Sequence, residues 1–384
     1  MPGKPKQHHV NHTLRILVKQ LLAFWEGVYY TRTARHRIGR KVFVVLLPIV
    51  CDTEAAIQIS GFAAHNHTYF CRRCLLPISD IYNLNPESWI MRDPVKHREL
   101  AFEWKVASRA RRDAIYKTHG IRFTELMELP YWDPILFTVI DDMHFGYLGL
   151  FKTHLREIWG IDHEKNSGDG LHPDLSDKKR IKLPDCAMGE SCISSITHSH
   201  LSVFSDLLAE IWADMARSVL PSWIQAAPSR WGIPSAGKLS ADEYKVVCSI
   251  SLVVTLIRVW GYGNKEQPQS RHFQMLLNFL ELVRSMHIIF LRETSQSSRA
   301  YYKAHILSYL RGVLELYPDV TLASNHHLAL HIITDLENMG PGHARSTPVF
   351  ERINHLLQEI KKNGHLGELI SQTCLLVLLI VHSR

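Results

Sequence analysis

The stretch KVFVVLLPIVCDTEAA, residues 41–56, decides how the rest of the chain is read. Val42 to Cys51 is an almost unbroken run of aliphatic and β-branched residues, the pattern of a strand buried on both faces. It ends in Asp52, and TEAAIQISGF then reads as a short helix that Gly61 can stop. A carboxylate at the C-terminal end of a buried strand is a usual position for an active-site residue. An aspartate directly before TEAA is equally an ordinary helix N-cap. On the residues alone both readings of Asp52 stand.

Upstream, LRILVKQLLAFW (Leu14 to Trp25) has apolar residues at helical spacing, GVYYTRT is β-rich, and RHRIGR is a basic turn. Downstream of HTYFCRRCLLP the pattern turns helical and stays so to about His326. Helices are expected over Arg98 to Lys117, Leu201 to Leu220, Ala241 to Trp260, His272 to Leu291 and Arg299 to Leu316. Phe137 to Trp159 should start extended and become helical, and Ser167 to Asp185 is polar and carries glycine and proline. After Ser324 to Leu336 and a GPGH loop, Pro348 to Asn363 reads as a helix carrying Glu351.

The chain has 384 residues, 46% of them hydrophobic and 21% charged, the profile of a globular protein with room for more than one packed unit. A net charge of +7 suits a polyanionic partner without requiring one. Seven cysteines in so long a chain do not make a disulfide scaffold and favour a reducing compartment. The apolar runs Val42 to Cys51 and Cys374 to Val381 are shorter than the roughly 20 residues of a membrane span. The N-terminus has no apolar signal-peptide core, so the expectation is a soluble intracellular or nuclear protein with no membrane partner.

Chemistry concentrates in a few places. Cys71 and Cys74 in FCRRC are half of a tetrahedral zinc site. NHHLALH, residues 325–331, supplies the complement: His331 with either His326 or His327. On a regular helix residues four apart share a face, which suits His327; His326, five away, needs a bend. A site built this way would tie together the two ends of the helical block. CAMGESCISSITHSH, with Cys186, Cys192, His198 and His200, has irregular spacing and is a weaker metal candidate. Arg32, Arg35, Arg37, Arg40 and Lys41, and the run Arg109 to Arg112, are candidate phosphate contacts that also read as solvated faces. Trp223, Trp231 and Trp260 read as core anchors.

Taken in order, PGKPK, LLAFWEGVYYTRTARHRIGRKVFVVLLPIVCDTEAAIQISGFAAHNHTYFCRRC, LPYWDPILFTVIDDMHFGYLGL, LPSWIQAAPSRWGIPSAGKLSADEYK, YLRGVLELYPDVTLASNHHLALH and FERINHLLQEIKKNGH resemble successive blocks of CACTA-type DNA transposases, in the form abundant in mushroom-forming fungi. The resemblance runs from about Pro2 to Gln372. It implies an α/β fold: an RNase H-like core with an Asp-Asp-Glu active site, interrupted by a large all-α insertion. On that basis residues 1–77 would be partial core, 78–323 the insertion, and 324–384 the histidine pair and the core helix with Glu351. Asp52 would be the second catalytic aspartate and Glu351 the glutamate. Asp141 and His144, in IDDMH, match a D-x-M-H block and would be accessory. The Cys-x-x-Cys and His-x4-His plan is similar to that of the V(D)J recombinase, which favours His326 with His331 and implies structural Zn2+.

The family's first catalytic aspartate lies upstream of the PGKPK block, and no aspartate precedes Asp52 here. The resemblance therefore implies a truncated core sheet that lacks its first strands and exposes an edge of VFVVLLPIVC. Three carboxylates would hold two Mg2+ ions in the complete enzyme. With two, the expected outcome is an inactive, nuclear, transposase-derived protein. Its partners would be DNA, and a full-length transposase or a second copy of itself. The alternative is a non-catalytic DNA-binding or zinc-braced helical interaction protein.

Overall fold

The computed structural model describes residues 7–161, 207–233, 236–262 and 270–347, with Arg352, Ile353 and Leu356. These residues are mostly helical, and their one sheet has two strands. Helix α1 (Gln7–Glu26) runs into a hairpin of β1 (Val28–Tyr30) and β2 (Arg40–Val42), in which Val28 faces Val42 and Tyr30 faces Arg40. Helix α2 (Thr53–Ser60) is capped at both ends: Asp52 Oδ1 accepts from the Ala55 N–H at 2.8 Å, and Gly61, at φ 78°, is the left-handed residue that closes it. The single charged helix expected over Arg98 to Lys117 is two helices, α3 (Pro94–Val106) and α4 (Arg109–His119), because Ala107 is extended and Ser108 caps α4.

The expected buried strand is not formed. Only Arg40–Val42 pairs within the hairpin, and beyond it a single bridge joins Ile49 in parallel to Thr138. Phe43, Val44, Val45 and Leu47 are exposed at 62%, 40%, 45% and 49%. An apolar β-run becomes a buried strand only when neighbouring strands take its backbone groups and other layers cover its faces. Among the described residues this segment has neither on the side that Phe43 to Leu47 presents.

Two cores hold the described residues. The smaller packs Val18 and Leu21 of α1 against Ala101 of α3 and the segment Ile121 to Trp132, with Leu46, Ile49 and Phe137 at its margin. The larger is the helical block. A helix of π character over Met143–Phe151, continued at His154–Ile158 (α5), and helix 207–217 (α6) pack with Ala241–Tyr262 (α7), Arg271–Ile289 (α8) and Gln296–Leu316 (α9). α8 and α9 come close enough that a Cβ on Gly312 would meet Asn278 Nδ2 at 2.2 Å, and that amide donates to the Tyr309 carbonyl at 2.8 Å. Trp231 and Trp260 anchor this core, but Trp223 is 84% exposed and does not.

By length and apolarity α7 is the one helix among the described residues that could cross a membrane. Its Val247, Leu252, Leu256 and Trp260 are instead buried in the helical core. On its other side Arg258 pairs with Asp214 and Glu210 of α6. Two short helices, α10 (Ser324–Ala329) and α11 (Ile332–Met339), close the block, and Gly340 to Thr347 returns across it.

Among the described residues five histidines are buried, and burial makes three of them resist protonation. Burial, with Arg92 nearby, drives His97 down to about 3. Burial, with His326 nearby, does the same to His154, and burial alone takes His326 down to about 4. The unfolded chain takes up these protons near pH 6.5 and the folded chain does not. Stability is therefore full above about pH 6.5 and falls toward pH 4, each histidine contributing about 1.4 kcal/mol per pH unit in that window. Calorimetry from pH 7.5 to 5 should show a falling Tm. His97→Leu should flatten the fall, since neither ring nitrogen of His97 has a hydrogen-bond partner.

Candidate metal centre

Cys71 and Cys74 lie in a tight loop that the neighbouring backbone fixes. Leu75 N–H donates to the Ile90 carbonyl at 2.8 Å, and Arg92 N–H donates to the Arg73 carbonyl at 3.0 Å. Arg92 folds under the loop, its guanidinium donating to the carbonyls of Cys71, Tyr69 and His119. The Arg73 N–H points at Cys71 Sγ at 3.2 Å, which stabilises a thiolate there. From the other end of the chain, His327 on α10 and His331 between α10 and α11 are one helical turn apart and face the same loop.

The four residues form one buried cluster, with their ligand atoms all within 4.8 Å of one another. Cys74 Sγ is 3.3 Å from His327 Nε2, and the two Nε2 atoms of His327 and His331 are 3.1 Å apart. Around a tetrahedral zinc the N···N edge is about 3.3 Å and the S···N edge about 3.6 Å, so the donors already sit near ligand spacing. Burial pushes the Cys71 thiol up, but hydrogen bonds with Cys74, His327 and His331 and the His331 charge outweigh it and hold Cys71 well below its ordinary value. Trp89 covers both imidazoles, with ring centroids 4.5 Å from His327 and 5.1 Å from His331, and the Phe70 ring meets His327 edge-on. Two thiolates, two imidazoles and a dry aromatic wall form a closed set that suits a structural zinc and leaves no open position for substrate.

His327 is thus the histidine placed to act as a ligand with His331, and His326 is outside the cluster. The helix decides this: residues four apart share a face and residues five apart do not. The His326 ring turns back to its own helix start, Nδ1 accepting from the Ala323 N–H at 2.9 Å.

Beside the cluster lies a buried charge network that the sequence did not announce. Arg72 and Arg73, between the two cysteines, are 4% and 2% exposed. Arg72 donates to the Val139 carbonyl at 3.1 Å. Arg73 pairs with Asp335, one turn beyond His331, and donates to the Ile135 carbonyl. The Ile140 N–H donates to Asp335 Oδ2 at 2.9 Å, and Arg345 reaches Asp335 at 3.6 Å and Asp142 at 3.0 Å. A run reading CRRC looks like surface charge; its only sign of burial is confinement between two residues that must face a shared ion.

The network also positions the carboxylates. Asp52 is exposed, three residues past Ile49, and Asp141 is buried, three residues past Thr138, the bridge partner of Ile49. The Cys51 thiol, driven up to about 12 by burial, feels both carboxylates as well as Arg72. Asp141 accepts from the Thr347 N–H at 3.1 Å and hydroxyl at 2.8 Å, and from the His144 N–H at 3.2 Å; the His144 ring pairs with it as well. Thr347 is four residues before Glu351, and Glu351 lies outside the described residues, as do Cys186, Cys192, His198 and His200. Arg32, Arg35, Arg37, Arg40 and Lys41 are all exposed on the hairpin. In the other basic run Arg111 pairs with Glu103, and Arg112 donates to the carbonyls of Trp104 and Lys105.

No protein-family model matches this chain, and no curated protein matches it.

The purified protein should hold one zinc per chain by elemental analysis. Cys71→Ser and His327→Gln should each abolish that stoichiometry, whereas His326→Gln should keep it and lower the Tm only modestly. Zinc lost from the His326 variant but kept in the His327 variant would overturn the ligand assignment.

Proposed function

We propose that this chain derives from an Asp-Asp-Glu DNA transposase of the CACTA type and that these 384 residues act as a zinc-braced, DNA-binding body without cleaving activity. The observation that carries the reading is the clasp itself: Cys74 and His327, 253 residues apart, meet in one buried ligand set. The family resemblance implies a clasp between these two segments, with His326 where the structure has His327.

In this reading Asp52 and Glu351 are two of three carboxylates that would hold Mg2+ for water attack and strand transfer. Magnesium prefers octahedral oxygen coordination, and two carboxylates hold it weakly. Zinc has a separate role: it fixes the loop after Asp52 to the helices before Glu351. A protein of this lineage acts in the nucleus, on element ends, alone or beside a complete transposase.

Zinc-loaded protein should bind duplex DNA with an affinity that falls steeply between about 50 and about 200 mM salt. It should not nick supercoiled plasmid in Mg2+ or Mn2+. Nicking that Glu351→Gln removes would show that the catalytic set is complete. Zinc content with no duplex affinity at any salt would instead favour the second reading, a zinc-braced helical interaction protein.

A further inference from the structure

The hairpin that leaves α1 stands apart from both cores and carries most of the chain's excess charge. Between Gly27 and Cys51 there are five cations, Arg32, Arg35, Arg37, Arg40 and Lys41, and no acidic residue, in a chain whose net charge is +7. All five are exposed, and among the described residues none forms an ion pair. The turn is built: Gly39 N–H donates to the His36 carbonyl at 3.2 Å, His36 N–H to Thr33 Oγ1 at 3.0 Å, and the Tyr29 hydroxyl to the Ile38 carbonyl at 2.7 Å. Gly39, at φ 86°, could not carry a side chain, since a Cβ would lie 2.6 Å from the Tyr30 carbonyl oxygen. The ribbon therefore holds a defined shape, with three of its charges in the connecting loop and two on β2.

Aromatic rings accompany the cations. Tyr29 and Tyr30 are 59% and 43% exposed and lie opposite Lys41 and Arg40, and Lys41 Nζ is 5.1 Å from the Phe43 ring. Interleaved cations and rings without carboxylates suit a polyphosphate chain. They do not suit a bilayer, because the loop between the strands carries three cations and offers Ile38, 90% exposed, as its one large apolar side chain to insert. A two-stranded ribbon fits the major groove of B-form DNA, about 12 Å wide, whereas the deep, narrow major groove of an RNA duplex shuts it out.

We infer that the ribbon Gly27 to Val42 is a duplex-DNA arm that enters the major groove, with Arg32, Arg35 and Arg37 on the phosphates of the groove walls. The choice of partner rests on the DNA-binding reading above; the location does not. Each phosphate contact contributes about 0.9 to the slope of log affinity against log salt. The test is a salt series of fluorescence anisotropy on the zinc-loaded full chain, with a labelled DNA duplex, an RNA duplex of matching sequence, and anionic vesicles.

Arg32→Ala/Arg35→Ala/Arg37→Ala should reduce the slope by about 2.7 and weaken DNA binding at least about tenfold near 100 mM salt. Zinc content and Tm should be unchanged. Equal charge removed elsewhere, by substituting the exposed Lys245, Arg292 and Arg311 together (Lys245→Ala/Arg292→Ala/Arg311→Ala), should do much less, and the RNA duplex should bind more weakly than DNA. If the wild type binds duplex DNA and the hairpin triple behaves like the other triple, the arm is wrongly placed and the DNA reading survives. RNA bound as tightly as DNA, or vesicles bound in preference to both, overturns the arm. No duplex affinity in the wild type sinks both claims.

Discussion

The described fold depends on a contact between residues that the chain separates by 253 positions: the loop of Cys71 and Cys74 against His327 and His331. Closing so long a loop carries an entropic cost that rises only slowly with length, about 0.6 kcal/mol per doubling. A structural zinc in a small peptide contributes about 10–16 kcal/mol. One ion can therefore reinforce the junction of the two ends of the helical block, which the buried pair of Arg73 and Asp335 also joins. The aromatic wall of Trp89 and Phe70 keeps the ligand set dry, and a dry site strengthens each charge interaction inside it.

The charges beside the clasp extend its reach. Arg73, Asp335, Arg345 and Asp142 are all buried and pair with one another and with the backbone of Ile135 and Ile140, while Arg73 Nε and Asp142 Oδ1 have no hydrogen-bond partner. Such a network adds little net stability, because desolvation offsets attraction, but removing one member leaves a buried charge uncompensated at about 3–5 kcal/mol. Its effect is specificity of arrangement. It allows one placement of the segment 135–142 against α11 and the return segment, and Asp141 then holds Thr347. Asp142 shows the strain of the arrangement: burial raises its carboxyl to about 8, although Arg345 pulls the other way.

In the segment between the hairpin and Ile49 the constraint is relaxed. Phe43 to Leu47 has the composition of a central strand and the exposure of an edge, and the hairpin before it packs on neither core. Apolar and cationic surface is thus concentrated in one continuous piece of chain, next to the segment that ends in Asp52. A surface of this kind is ordinarily covered by another strand or by a partner.

Local features were legible from the residues. The cap of Asp52 on α2, the Gly61 stop, the hairpin and the long helices all follow from interactions within a few residues. So did the pairing of CRRC with NHHLALH, and helical geometry pointed to His327 where family likeness pointed to His326. What the sequence could not settle was environment. The run Val42 to Cys51 reads as core because its pattern assumes neighbours, and only the tertiary structure shows whether neighbours are there. Nothing in the sequence marked Arg72, Arg73 and Asp335 as buried, because burial of a charge is decided by partners far along the chain. Trp223 reads as an anchor and lies in solvent for the same reason. Periodicity and capping are properties of adjacent residues, so the sequence by itself determined the elements and the ligand types. Burial and convergence are properties of distant ones, so only the folded chain decided which histidine closes the site and which strand is left open.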